Sequence, residues 1–425
     1  KMRKGTLILI SLLLPFFITG CFDSHEIGDF AYVTAMGVEH GISDTFRITF
    51  QISKFSKSSG GNGENEGGGG EKNEEMEIIT MDSSSLLSAV SIVNANISKE
   101  LNFMHLKAIV ISEELAENGK LGECLAPIVR YRHIRRTTNI IVCKGKAEEF
   151  ITALMPYPGE LITRTLEELF EKSNTIGYFP HTTLNDLYDG IKSSYNALIL
   201  TYGAVNKEEK FESDGEFFKG ESDVPGNFNA GDIPRKGGSK VELFGSAVFD
   251  GEKMKGKLTG FETQMLLLAR GELIRGPFSI TDPEKPELMV PIDIKEIENP
   301  EIMIDLNEDK PKIHVKLKLE GDIASIQSGI NYETPEKMTI IEDALEQHLI
   351  KGIEITFEKC KEFKADVFNF GTTAVMQFWT IPEWEEYNWL GKFPESELKV
   401  EVDFTIRRTG KLLKNKPLFS LEDKK

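Results

Sequence analysis

Met338, Ile341, Leu345, Leu349, Ile353, Phe357 and Cys360 recur at steps of three or four residues. That spacing puts all of them on one side of a helix. Thr334-Pro335 supplies a cap and first-turn pair at its start. The pattern runs to about Lys361, roughly 40 Å at about 1.5 Å per residue. An apolar stripe of that length needs an apolar surface to lie on, and the flanking sequence offers a sheet. In Lys312 to Leu319, Ile313, Val315, Leu317 and Leu319 alternate with Lys312, His314, Lys316 and Lys318. In Leu398 to Ile406, Val400, Val402, Phe404 and Ile406 point one way. The expectation is a long helix laid on the sheet that holds Lys312 to Leu319.

The first half of the chain mixes both periods. Ala31 to Val38 and Phe46 to Ile52 read as strands joined by a turn between Gly41 and Asp44. Asp82 or Ser83 can cap a helix to about Ser98, with Leu86, Leu87, Val90 and Val93 inward. Phe103 to Ser112, with Ala108-Ile109-Val110-Ile111, reads as a central strand, and Asn139 to Cys143 as another. Glu113 to Asn118, Leu121 to Arg130, Ala147 to Leu154 and a stretch from His181-Thr182 read as helices. Further on, Asp250-Gly251 marks a hairpin turn, and Phe261 to Arg270 a short amphipathic helix. The fold class expected is α+β, mixed α/β: a multidomain chain whose sheets carry packed helices. The expected layout is a signal peptide over 1–20 and an N-terminal domain over 21–200, with a flexible Gly/Ser/Asn/Glu loop at 58–75. A variable linker or excursion follows over 201–240. A C-terminal region follows over 241–420, with a division into subdomains of about 241–290 and 291–420 left open.

The chain opens with Lys1, Arg3 and Lys4, then an apolar run from Leu7 to Ile18 that is too short to span a bilayer. It ends in Ile18-Thr19-Gly20-Cys21. An apolar residue, two small residues and a cysteine form a lipobox. It implies a diacylglyceryl group on the Cys21 sulfur and cleavage before Cys21. Two acyl chains hold a body stably at a lipid surface, where one holds it marginally.

The formal charge is −18, and the proposed cleavage would remove three more positive charges. That balance argues against nucleic acid as a partner and against electrostatic adhesion to anionic lipid, so a tethered body would stand off the headgroups. Beyond Cys21 only Cys124, Cys143 and Cys360 remain, with no C-x-x-C spacing, so no zinc site or disulfide framework is legible. Buried thiols are the simplest reading, with a Cys124–Cys143 bridge open. No H-E-x-x-H, G-x-S-x-G, Walker loop or dinucleotide fingerprint occurs. Catalytic residues, metal ligands and cofactor sites are therefore expected to be none. His105 beside an apolar run reads as a packing residue. Arg130-Tyr131-Arg132-His133-Ile134-Arg135-Arg136 is the one dense basic cluster. It is either a solvated helix end or a surface for an acidic partner or lipid headgroups. Trp379, Trp384 and Trp389 fall in one short segment, either core or interface.

Several segments carry a family likeness. They are Cys21 followed by Glu26-Ile27 and Ala31 to Gly37, then His105-Leu106-Lys107 and Ala116. Later come Leu243-Phe244-Gly245-Ser246-Ala247-Val248-Phe249 and Gly260-Phe261-Glu262-Thr263 with Leu266-Leu267. Last are Lys364-Ala365-Asp366-Val367-Phe368-Asn369-Phe370-Gly371, Pro382-Glu383-Trp384, and Trp389 with Phe393-Pro394. In these the chain resembles the C-subunit lipoproteins of bacterial spore germinant receptors, the Ger(x)C family. The resemblance implies a three-domain mixed α/β fold and a non-enzymatic, lipid-anchored subunit on the outer face of the spore inner membrane. Its partners would be the two integral membrane subunits, A and B, and the bilayer itself through acylated Cys21. The one functional residue it transfers is Cys21. The alternative function is a lipid-anchored extracytoplasmic solute-binding protein, which would need a substantial pocket. A cell-wall hydrolase is a third and weaker reading.

Overall fold

In a computed structural model, residues 27–54, 75–207, 226–307 and 310–409 are described. Cys21, nearly all of the 58–75 loop and the tail after residue 409 lie outside them.

The N-terminal half builds one large sheet. Its strands are β1 (Phe30–His40), β2 (Phe46–Lys54) and β3 (Glu75–Ser83), then β4 (Glu100–Asn102), β5 (Ala108–Ser112), β6 (Asn139–Cys143) and β7 (Ile199–Val205). Between them run α1 (Leu86–Asn96), α2 (Glu113–Glu117), α3 (Leu121–Val129), α4 (Ala147–Ala153), α5 (Ile162–Glu171), α6 (Ser173–Ile176) and α7 (Leu184–Lys192). β1 and β2 form the expected hairpin, with His40 paired to Phe46. β1, β5, β6 and β7 run parallel. Parallel strands buried on both faces should be continuous apolar runs, and β5 and β6 are buried at every position. One face packs Val33, Ile109, Ile111 and Val142 against α1, α2, α3 and α7. The other packs Ala35, Val110 and Ile141 against α4 and α5.

Two details depart from the sequence reading. The stretch Glu75–Ser83, where the sequence offers no element between the loop ending at 75 and the helix cap, is a strand paired to β2 along its whole length. The cap of α1 is Ser85, whose side chain accepts from Ser88 N, and not Asp82 or Ser83. Asp82 is already engaged by Arg47 Nε at 2.8 Å and Ile42 N at 2.9 Å. The Arg47 guanidinium holds its carboxyl below the usual range. The later start turns Leu87 out to solvent, while Leu86, Val90 and Val93 stay buried.

The sheet continues past the excursion. β8 (Val241–Asp250) pairs antiparallel with β7, Ile199 opposite Val248, and β9 (Lys253–Leu258) adds the edge strand through the Asp250-Gly251 turn. Residues 201–205 of the expected excursion belong to β7, and the segment 206–240 joins two neighbouring strands. Its described end is fastened by the buried Glu242 carboxylate, which accepts from Arg235 Nε at 2.8 Å and Gly231 N at 2.6 Å.

Next come α8 (Gly260–Arg270), β10 (Gly276–Thr281), β11 (Met289–Ile297), β12 (Glu301–Asp305), β13 (Lys312–Ile323) and α9 (Pro335–Glu362). The chain finishes with α10 (Phe370–Ala374), α11 (Ile381–Tyr387), α12 (Trp389–Lys392) and β14 (Glu397–Arg408). α8, expected to be amphipathic, is buried from Thr263 to Ala269. It is enclosed between the sheets and α9, where Met265 lies against Gly352. The second sheet runs β10-β11-β13-β12, with β14 parallel to β13.

α9 packs on β14 and α8, as its stripe requires. Ile341, Leu345, Leu349, Ile353, Phe357 and Cys360 are all buried, each contributing about 1.5–3 kcal/mol for the larger side chains. α9 also covers the outer edge of β14. Glu346 Oε1 accepts from Phe404 N at 2.9 Å, and Glu342 Oε1 from Ile406 N at 2.8 Å. Those amides are thereby withheld from any added strand.

Candidate functional site

α9 ends in a left-handed residue, Lys364, at φ 56°, and Ala365 N closes back on Cys360 O at 3.1 Å. That is an αL helix stop. Asn369, also left-handed at φ 63°, starts α10. Between these two bends Asp366 points inward and is fully buried. Its carboxylate accepts from Gly371 N at 2.7 Å, Trp389 Nε1 at 2.9 Å and Phe370 N at 3.3 Å. Burial outweighs those bonds and pushes the Asp366 pKa up to about 6. Its backbone oxygen accepts from Ala197 N at 2.8 Å. Trp384 Nε1 donates to Ser194 Oγ at 3.3 Å. The segment before β7 is thus stitched to the C-terminal motif.

A cleft of about 350 Å³ opens beside this junction, lined among others by Asp186, Asp189, Tyr195, Arg270, Glu272 and Asn369. Its charges are engaged internally. Arg270 donates to Val367 O at 3.2 Å and pairs with Glu272 at 2.6 Å. With its amide turned to satisfy its neighbours, Asn369 accepts from Arg270 Nη2 at 2.7 Å. Asp186 completes the Thr183 capping box, and Asp189 accepts from Asn185 at 2.8 Å. A solute would have to break these pairs to gain a charged contact. Among the described residues no group of His, Cys, Asp and Glu could hold a metal, and no helix is long and apolar enough to cross a membrane.

Among the described residues, Cys124, Cys143 and Cys360 are free and buried. Cys124 belongs to the core on one face of the large sheet and Cys143 to the core on the other, so no bridge joins them. Burial raises all three thiol pKa values, which keeps them protonated and unreactive. His105 is exposed, not packed in the core. Its ring stacks on Tyr32 at 4.5 Å.

The tryptophan segment divides. Trp384 and Trp389 are core, at 3% and 1% exposed, while Trp379 is 96% exposed. Met376 and Ile381 flank it, also largely in solvent. Gln377 Nε2, between them, donates to Ile304 O at 2.8 Å and ties the segment to β12. The sequence placed the three rings together, but Trp379 precedes the Thr380 cap of α11 and stays in solvent, while Trp384 in α11 and Trp389 in α12 face inward. The Arg130–Arg136 cluster lies on the loop between α3 and β6, with Ile134 buried beneath it and its four arginines exposed.

Known proteins share this whole arrangement. Residues 23–205 match the family described as spore germination protein N-terminal domain, and 244–410 match spore germination B3/GerAC like, C-terminal. The gap between them falls on the excursion. Spore germination protein KC of Bacillus subtilis (strain 168) is 26% identical over 426 residues, covering 98% of each chain. Spore germination protein YndF of the same organism is 23% identical, covering 96% of this chain and 97% of its own. Spore germination protein B3 is 21% identical over 420 residues, covering 96% and 99%. The crystal structure of the GerBC protein has the same fold, with a TM-score of 0.53 at 15% identity over 88% of this chain and 96% of that one. With both domain families matched in order along its length, the chain belongs to the Ger(x)C family of spore germination proteins.

Proposed function

We infer that this chain is the lipid-anchored C subunit of a spore germinant receptor. It is a non-enzymatic part that works beside two integral membrane subunits, A and B, at the outer face of the spore inner membrane. It takes part in nutrient-triggered germination through protein–protein contacts. The observation that carries this is the end-to-end likeness to spore germination proteins, together with the lipobox at Ile18 to Cys21. The exposed Met376–Trp379–Ile381 patch supports a contact role, since a large ring left in water on an anionic body marks a place where another surface sits.

Deleting the gene is expected to abolish the nutrient response and leave germination by a receptor-bypassing agent intact. An unchanged nutrient response, in a strain without a second receptor for that nutrient, sinks the assignment. Cys21→Ala is expected to move the protein from the membrane to the soluble fraction, and the native protein should carry diacylglyceryl on residue 21 by mass spectrometry. An unmodified Cys21 in the native protein removes the anchor.

Trp379→Ser is expected to leave the thermal unfolding midpoint unchanged, because the ring packs on little, and to slow nutrient germination severalfold. A normal rate would show that the patch has no partner.

A further inference from the structure

Parallel strands place the loops that precede them at one edge of the sheet. β1, β5 and β6 are parallel, with Ala35 opposite Ala108 and Ala108 opposite Asn139. Their leading edge therefore gathers three things. One is Phe30, where the chain first joins the fold, paired with Glu100. The second is Phe103 to Lys107, with Met104 exposed and His105 stacked on Tyr32. The third is the arginine loop.

That loop is held in place. Ile134 N bonds Tyr131 O and Thr138 N bonds Arg135 O, each at 3.1 Å. Tyr131 packs edge-on to Phe103 at 5.5 Å, and Arg136 lies over the Tyr188 ring at 5.6 Å beside Lys192 at 3.7 Å. Neighbouring carboxylates are largely engaged: Glu167 pairs with Lys107, Asp186 caps α7 and Asp189 accepts from Asn185. Glu100, at the start of β4, acts electrostatically on Tyr131 of the loop.

We propose that this edge, through Arg130, Arg132, Arg135 and Arg136 with Met104 at its rim, rests on the anionic phospholipid headgroups of the bilayer that holds the chain. The proposal rests on the lipid-anchor reading, because that reading fixes which end faces lipid. Eight residues lie between Cys21 and Phe30, so the edge can stand no more than about 30 Å from the anchored sulfur. The rest of a chain of net charge −18 is repelled by an anionic leaflet, and this edge is attracted. The anchor supplies attachment, and the arginines supply orientation.

The test uses residues 21–425 carrying Cys21→Ala, so that no acyl chain contributes, mixed with vesicles of phosphatidylcholine with or without phosphatidylglycerol. At low ionic strength the protein is expected to sediment with the phosphatidylglycerol vesicles, to be released by salt, and to ignore phosphatidylcholine alone. Arg132→Gln with Arg135→Gln is expected to lower that partitioning about 30-fold with an unchanged melting curve, both side chains being exposed. Equal partitioning into both vesicle types, binding to neither, or an unaffected double variant overturns the proposal. A double variant that binds vesicles normally but loses co-purification with the receptor's membrane subunits overturns it too, and assigns the loop to a protein. Mass spectrometry of native residue 21 reads the anchor separately. An acylated Cys21 with an indifferent loop defeats only the orientation proposal, whereas an unacylated Cys21 defeats the anchor and the orientation argued from it, even where the vesicles bind.

Discussion

Asp366→Leu is expected to destabilise the protein by about 3–6 kcal/mol, because it leaves the Gly371 and Phe370 amides and the Trp389 indole N–H buried without an acceptor, at roughly 1–3 kcal/mol for each unsatisfied group. Asp366→Asn separates hydrogen bonding from charge. Its amide oxygen can keep Gly371 N and Trp389 Nε1, the two shorter bonds, while its NH₂ opposes the weaker Phe370 donor. The carboxyl has a folded-state pKa of about 6 against the ordinary 3.8. The native state therefore binds the proton more tightly than the unfolded chain. Its contribution is fully present below about pH 4 and is lost as pH rises through about 6, by an amount on the order of 3 kcal/mol. The difference in unfolding free energy between wild type and Asp366→Asn should accordingly fall over that window. Urea titrations of both at several pH values measure it. A difference that stays flat, or that grows with pH, shows that the Asp366 charge is not desolvated as described.

Gly371→Ala is expected to cost at least about 3 kcal/mol, within the range of severe overpacking and backbone displacement. A Cβ at this position would stand 1.8 Å from the Tyr195 carbonyl oxygen and 2.6 Å from Trp389 Nε1. The first is backbone and cannot rotate away. Relief requires the segment before β7 to part from α10, which breaks the Ala197–Asp366 bond as well. The variant should show a lowered unfolding midpoint and a faster-exchanging Ala197 amide. An unfolding free energy within about 0.5 kcal/mol of wild type would mean the junction is loose enough to absorb a methyl group.

Both residues lie in the Lys364–Gly371 motif, whose presence was visible in the chain and whose purpose was not. The sequence analysis read the motif only as a mark of kinship. Its physical content is a sharp double bend that seals an acid under two tryptophans and clamps the two halves together. Nothing local in Ala-Asp-Val-Phe predicts which backbone amides will meet the carboxylate, because its partners include Trp389, 23 positions later. The β3 strand was missed for a related reason. Its positions are mostly half-exposed, with only Ser83 buried, so it lacks the strong alternation that marks a buried face. Pairing with β2 supplies its order instead.

Periodic order was legible throughout: the α9 stripe, the alternation in β13 and β14, the apolar runs of β5 and β6, and the β1–β2 and β8–β9 turns. These depend on neighbours a few residues apart, where side-chain geometry follows directly from the backbone. The mixed α/β class, the acidic balance and the lipobox at Cys21 are likewise properties of the linear chain. Tertiary structure alone decided that β8 and β9 extend the first sheet across the 201–240 excursion, that Trp379 faces water while Trp384 and Trp389 do not, and that the arginine loop shares an edge with Phe30. Each depends on which distant segments come into contact, and contact between segments far apart in sequence is set by the competition among whole surfaces for burial rather than by any local preference.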